Sequence, residues 1–306
     1  MNKILVSGSI NIENTLKIES FPLNYFPVTY PFFGVNSTIS GVGYNLAKSL
    51  TKLGDKVNFA SIIGSDLSGM MVRDELKLDK VKDKYVISQM EKTCASIIIY
   101  DKDGKRQIHC DLKDIQEQVY PEDLFLEALD ECKLVSLCNI NFSRPFLKIA
   151  KEQGKIIASD VHVIGDLNDP YNTDFMKSAD ILFMSNENLP SPPMDWIKMV
   201  LNKFGNDIIV IGLGKEGVLM SVKKDNFIAQ IPAVYTRPIV NTIGAGDSLF
   251  SAFLHFYNKT SNPYESIKRA ITFASYKIGV AGAADGFLNE KELENVYQNV
   301  KHNFKI

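Results

Sequence analysis

The chain has 306 residues, 45% hydrophobic and 23% charged, which excludes a disordered or collagen-like chain and leaves enough apolar residues for a sizeable core. A formal net charge of -2 and the absence of a long Lys/Arg cluster exclude the electrostatic footprint of a nucleic-acid partner. No apolar run approaches the roughly 18 residues that span a bilayer, and Met1-Asn2-Lys3 leads straight into the strand-like Ile4-Leu5-Val6, so a cytoplasmic protein without a membrane partner is expected.

In chain order, residues 3–6 read as a strand, and residues 45–53 as a helix with Leu46, Leu50 and Leu53 on one face and Gly54 as its stop. Residues 57–63 form the next strand. The rhythm returns with a strand at 134–137, a helix at 145–153 ended by Gly154, and strands at 155–159 and 181–184. A helix at 196–204 and a strand at 208–213 continue it, and residues 217–222 and 227–231 suggest antiparallel edge strands. Such alternation predicts an α/β fold, a mainly parallel central sheet with helices on both faces. Cys94, Cys110, Cys132 and Cys138 lack C-x-x-C spacing and lie in or beside apolar strand-like runs, so buried free thiols are expected.

Two stretches break the rhythm and are candidates for a small β lid. Residues 13–38 are rich in aromatic and β-branched side chains, and Pro22, Pro27 and Pro31 exclude a helix. Tyr30, Phe32 and Phe33 there suit a lid core, a subunit interface or a stacking platform for a base. Residues 95–110 read as a hairpin in which strands 95–100 and 106–110 flank the turn Asp101-Lys102-Asp103-Gly104-Lys105. With no repeat or linker in view, the chain reads as one domain with these two excursions.

The segment most informative about chemistry is 239–257. Phe250, Phe253, Leu254 and Tyr257 recur at helical spacing, which places the turn Gly244-Ala245-Gly246 at a helix N-terminus. Unpaired amides and the positive end of the helix dipole gather there, and glycines let an anion approach the backbone. Asp247 in the first turn is either an N-terminal cap worth about 1 kcal/mol or a base beside a bound phosphoryl group. The adjoining glycines favour the base. Neither G-x-x-x-x-G-K-[ST] nor the protein-kinase loop motifs occur.

Asn241-Thr242-Ile243-Gly244-Ala245-Gly246-Asp247 resembles the D-T-x-G-A-G-D signature of the ribokinase-like, or phosphofructokinase B-type, carbohydrate kinases. Upstream, Gly8-Ser9-Ile10-Asn11-Ile12-Glu13 is similar to that family's G-S-x-N-x-D, and Ser40-Gly41-Val42-Gly43-Tyr44-Asn45 to its G-G-x-x-x-N. Gly64-Ser65-Asp66-Leu67-Ser68-Gly69 resembles the G-x-D-x-x-G turn, residues 180–187 the segment ending in N-x-x-E, and residues 212–217 the T-L-G-x-x-G turn.

The resemblance implies an ATP-dependent kinase acting on a hydroxyl of a small sugar, with Asp247 as base and Gly244, Ala245 and Gly246 as anion hole. Asn186, Gly214, Gly217, Thr242 and Ser275 would face the nucleotide, and Asn11, Glu13, Gly41, Gly43 and Asn45 the acceptor. Mg2+ would be reached from Asn186 through water, and a monovalent cation would lie near Asn241. A nucleoside acceptor, a sensor without turnover and a homodimer formed through the lid are the alternatives and additions it carries.

Four positions depart from the pattern. Asn241 replaces Asp and loses the charge that would favour K+; Leu189 replaces the Glu of N-x-x-E, and Glu187, two residues along a helix from it, would face elsewhere. Gly212 replaces Thr, and Glu13 replaces Asp with one more methylene. Taken without the resemblance, Asn11 and Asn45 read as backbone-satisfying residues, Gly41, Gly43, Gly214 and Gly217 as turn glycines, Asp66 with Gly69 as structural, and His162 after Asp160 as a satisfied histidine.

Overall fold

The computed structural model describes residues 3–102 and 105–304, so Asp103 and Gly104 of the expected turn 101–105 lie outside the described residues. The first half of the chain runs β1 (Lys3–Ser7), β2 (Asn11–Lys17), β3 (Val35–Ser40), α1 (Val42–Leu53), β4 (Lys56–Gly64), α2 (Leu67–Leu78), β5 (Val86–Met90), β6 (Ala95–Tyr100) and β7 (Arg106–Asp111). Then follow α3 (Glu122–Leu129), β8 (Cys132–Leu137), α4 (Pro145–Glu152), β9 (Ile156–Asp160), α5 (Thr173–Ser178), β10 (Ile181–Ser185), α6 (Pro193–Phe204) and β11 (Ile208–Gly212). Strands β12 (Val218–Val222) and β13 (Phe227–Ile231) lead to α7 (Ala245–Thr260), α8 (Pro263–Lys277) and α9 (Glu290–Val300).

Among the described residues, the larger sheet has nine strands in the order β13-β12-β11-β10-β9-β8-β1-β4-β5. Pairing is parallel from β11 through β5 and antiparallel at β11-β12-β13, as the edge-strand reading expected. Successive side chains of β1 feed opposite faces. Ile4 and Val6 join the core under α1, α7, α8 and α9, whereas Leu5 joins the core under α3, α4, α5 and α6. Each large apolar side chain so buried contributes about 1.5–3 kcal/mol.

The second sheet, β3-β2-β6-β7, is the lid. It is mixed: β2 pairs antiparallel with β3 but parallel with β6, and the expected hairpin is the antiparallel pair β6-β7. Only the ends of the first lid stretch are strands. Between them the prolines leave an irregular segment whose aromatics point outward, with Tyr25 88% and Phe32 85% exposed, so they do not form a lid core. Cys94, Cys132 and Cys138 are buried as expected, but Cys110 is exposed because every residue of β7 is, at the outer edge of this sheet.

Helix α7 is fixed by aromatic packing. Phe183 of β10 meets Phe250 and Phe253 with ring centroids 4.8 and 5.3 Å apart, and Ser49 of α1 shares a 2.7 Å hydrogen bond with Ser251. These contacts hold the start of α7 toward the C-terminal ends of the parallel strands, the usual ligand-facing edge of such sheets.

Candidate active site

Gly244 ends the approach to α7 with φ 74°, and a Cβ there would run into the Ala283 carbonyl, so both conformation and space demand glycine. No side chain caps the helix, which removes the capping role considered for Asp247. Gly246 borders open space, with nothing within 4 Å of where a Cβ would stand. The Ala245 amide is already engaged by the Thr242 carbonyl at 3.2 Å, so the open face of the turn is centred on Gly246. A backbone surface like this, at the positive end of a 16-residue helix, suits an anion.

Asp247 is half-buried, and its carboxylate accepts a 2.7 Å hydrogen bond from the Asn45 amide. The Ser40 hydroxyl donates to the other end of Asn45 at 3.4 Å, tying the last residue of β3 to the first turn of α1. Burial raises the Asp247 carboxyl above the ordinary carboxylate range, Asn45 and His162 pull it back, and Asp160 pushes it up. The carboxyl is thus more basic than a solvated one. Asp160 is the last residue of β9 and His162 follows just beyond it, and the His162 amide donates to Asp160 at 2.8 Å.

On the lid side, Glu13 is only 5% exposed, and its Oε1 has no hydrogen-bond partner. Burial raises its carboxyl, with the Ser40 hydroxyl and Lys277 lowering it and Asp247 raising it. Asn11 is turned to the lid, donating to the Ser96 hydroxyl at 2.7 Å. Gly41 supplies the N-terminus of α1 in a left-handed conformation, and Gly43 lets α1 meet Gly8, whose carbonyl carbon would lie 2.5 Å from a Cβ. Of the expected acceptor residues, then, Asn45 and Glu13 converge on Asp247, whereas Gly41 and Gly43 serve close packing between α1 and the end of β1.

Asn186 is exposed just beyond β10, its amide donating to the Gly212 carbonyl at 3.0 Å. Residues 186–192 form a turn rather than the expected helix, and Glu187 there pairs with Arg106 of β7 at 3.6 Å. Leu189 packs against the core under α3 to α6, which explains an apolar residue at that position. Gly214 borders open space, Gly217 stands against the Ile231 carbonyl, and Ser275 donates to the Val234 carbonyl at 2.7 Å. Thr242 is exposed and accepts from Arg106 at 2.9 Å, so the lid already touches the turn. Asp66 caps α2 and binds Thr93, the structural role expected of it.

Two residues escaped the sequence reading. Arg106 was read only as part of the hairpin, yet it bridges lid and turn. Lys277 ends α8 fully buried, donating to the carbonyls of Ile243 and Gly282. Its signal was available, since it falls on the buried face of α8 at helical spacing from Ala270 and Phe273.

Comparison with known proteins gives this geometry a context. The family model for "pfkB family carbohydrate kinase" matches residues 1–291. The chain belongs to the pfkB family. This pfkB protein is 25% identical to the ribokinase of Dictyostelium discoideum over 95% of its own length and 99% of the relative's. Its fold matches the Arabidopsis thaliana ribokinase complexed with ribose and ATP at a TM-score of 0.80 and 21% identity, covering 97% of this chain and 98% of that one. It also matches the Burkholderia thailandensis nucleoside kinase in complex with inosine at 0.78 and 15% identity, with the same coverage. Sugar or nucleoside kinase activity is what membership of the pfkB family supports.

Proposed function

We propose that the protein transfers the γ-phosphoryl group of ATP to a hydroxyl of a small sugar, with Asp247 as the general base. The observation that carries this is the raised, Asn45-anchored carboxyl of Asp247 beside the open Gly246 edge of an uncapped helix. Asp247 takes the proton of the acceptor hydroxyl as its oxygen attacks in line, and the Gly244-Ala245-Gly246 turn, through its amide edge open at Gly246, stabilises the charge of the group in transfer. Asn45 keeps the carboxylate aimed, and the buried Glu13 offers Oε1 to a second hydroxyl of the acceptor.

Gly214 and Gly246 each border open space, which supports a polyphosphate and its base lying along them, and in this reading Thr242, Gly217 and Ser275 would border that side. Bound Mg2+ would neutralise phosphate charge. Among the described residues no three His, Cys, Asp or Glu side chains cluster as ligands, so phosphate oxygens and water would hold it, with Asn186 acting through water. Arg106 closes the lid over the turn and excludes water from competing as acceptor.

In this reading the chain is one catalytic unit whose lid spans the two β excursions, working in the cytoplasm. Two copies would pair through the exposed lid aromatics Tyr25, Phe26, Tyr30 and Phe32. A coupled ADP-release screen with Mg-ATP over sugars, sugar phosphates and nucleosides tests the activity. Acceptor-dependent ADP with a sugar is the expected result; ADP release only with nucleosides moves the acceptor class, and measurable ATP binding without turnover on any of them defeats the kinase reading.

A further inference from the structure

The interior of the site holds a charge that the proposed chemistry has not used. Lys277 has 0% exposure, and among the described residues no carboxylate lies within 4.0 Å of its ammonium. Burying a lysine without an ion partner is costly. Here the ammonium is held by the carbonyls of Ile243 and, at 2.6 Å, Gly282. Ile243 immediately precedes Gly244, and Gly282 precedes Ala283, whose carbonyl stands against Gly244. One ammonium therefore joins the two segments that form the floor of the turn.

We propose that Lys277 is a built-in monovalent cation for the phosphate-facing turn, a positioning residue that does the work a dissolved K+ would otherwise do. In a trans peptide the carbonyl and the following amide point in opposite directions. With the Ile243 carbonyl drawn onto Lys277, the Gly244 amide is aimed away from the lysine. Asn241 fits the same scheme: its side-chain oxygen is engaged by the Ile243 amide at 3.0 Å. Charge balance supports it as well, because Asp247, Asp285 and Glu13 all favour the ammonium form, offsetting part of the burial that draws Lys277 down to about 8. A phosphate group at Gly246 would add to that favour.

The inference rests on the kinase reading, and the test separates the two. ATP affinity is measured by calorimetry in potassium chloride and in tetramethylammonium chloride at equal ionic strength, for the wild type, Lys277→Ala and Lys277→Met. The wild type is expected to bind equally in both salts. Lys277→Ala should bind about ten- to a hundredfold more weakly in tetramethylammonium, the loss expected of one charge-assisted contact, and recover in potassium or ammonium chloride. Lys277→Met, which fills the same space without charge, should be weak in every salt. Wild-type affinity that rises tenfold with K+, or Lys277→Ala binding as tightly as wild type in tetramethylammonium, overturns the inference while leaving the kinase reading intact. A wild type that binds no ATP in either salt overturns both, and should neither variant fold, the wild-type salt comparison alone decides.

Discussion

Asn45 and Asp247 lie 202 positions apart, yet the amide nitrogen of one sits 2.7 Å from the carboxylate of the other. The bond joins the first turn of α1 to the first turn of α7, two helices that bury a shared face against the same side of the sheet. With the Ser49–Ser251 hydrogen bond one turn further on, it fixes the start of α1 relative to the start of α7. Asn45 also opposes the rise that burial imposes on Asp247.

Replacing Asp247 by Asn should remove the base while leaving the amide edge in place. Turnover is expected to fall by about 10²–10⁴-fold, with ATP affinity changed by less than about threefold. Steady-state kinetics paired with calorimetry checks this, and full activity in the variant would end the assignment of Asp247.

Asn45→Ala removes a group that favours the ionised form of Asp247, so the carboxyl should become still more basic. The acid limb of the kcat/KM profile is then expected to move to higher pH, with maximal turnover lower by about tenfold. A profile lowered uniformly with no shift of its acid limb would assign Asn45 to folding alone.

The two glycines of the turn should separate structure from function. Gly244→Ala meets both a left-handed backbone and the Ala283 carbonyl, so about 1–3 kcal/mol of stability should be lost. Gly246→Ala meets nothing, so its melting temperature should match the wild type while ATP affinity falls. Thermal melts and calorimetry on the pair give the contrast.

Lys277 implies a pH dependence with a defined sign. Its folded value of about 8 lies below the ordinary 10.5, because burial and the nearby Arg237 charge lower it more than Asp247, Asp285 and Glu13 raise it. Between those values the unfolded chain holds a proton the folded chain has released, so wild-type stability should rise relative to Lys277→Met as pH increases through that window. ATP affinity of the wild type should move the other way, falling above about pH 8 as the cation is lost. Melting curves and binding isotherms across that range test both arms.

Arg106→Ala cuts the lid from Thr242 and Glu187. Both contacts are largely solvent-exposed, so stability should change by less than about 1 kcal/mol. Turnover is expected to fall and acceptor-independent ATP hydrolysis to rise, because an open lid admits water. An unchanged ratio of hydrolysis to transfer would remove Arg106 from lid closure.

Much of the fold was legible because it is local. The alternation of apolar runs with helical spacing located β1, β4 and β8 through β13, the hairpin signal located β6 and β7, β5 carries no such signal, and the glycines before Phe250 marked the helix start at which the site is built. The aromatics of the first lid stretch were recognised as extended chain, but their outward exposure follows from which sheet forms beneath them, and composition does not encode that. Glu187 was expected on a helix. The turn over residues 186–192 sends it instead to an arginine on another sheet.

By itself the sequence determined a mainly parallel α/β fold, a glycine turn at a helix N-terminus and a carboxylate in its first turn, since each depends on neighbours within a few residues. Only the tertiary structure decided that Asn45 holds that carboxylate, that Arg106 reaches the turn and that Lys277 lies beneath it. Those contacts join segments that meet only when helices from distant parts of the chain bury their apolar faces on one sheet. What a side chain does there is set by what burial leaves for it to bind.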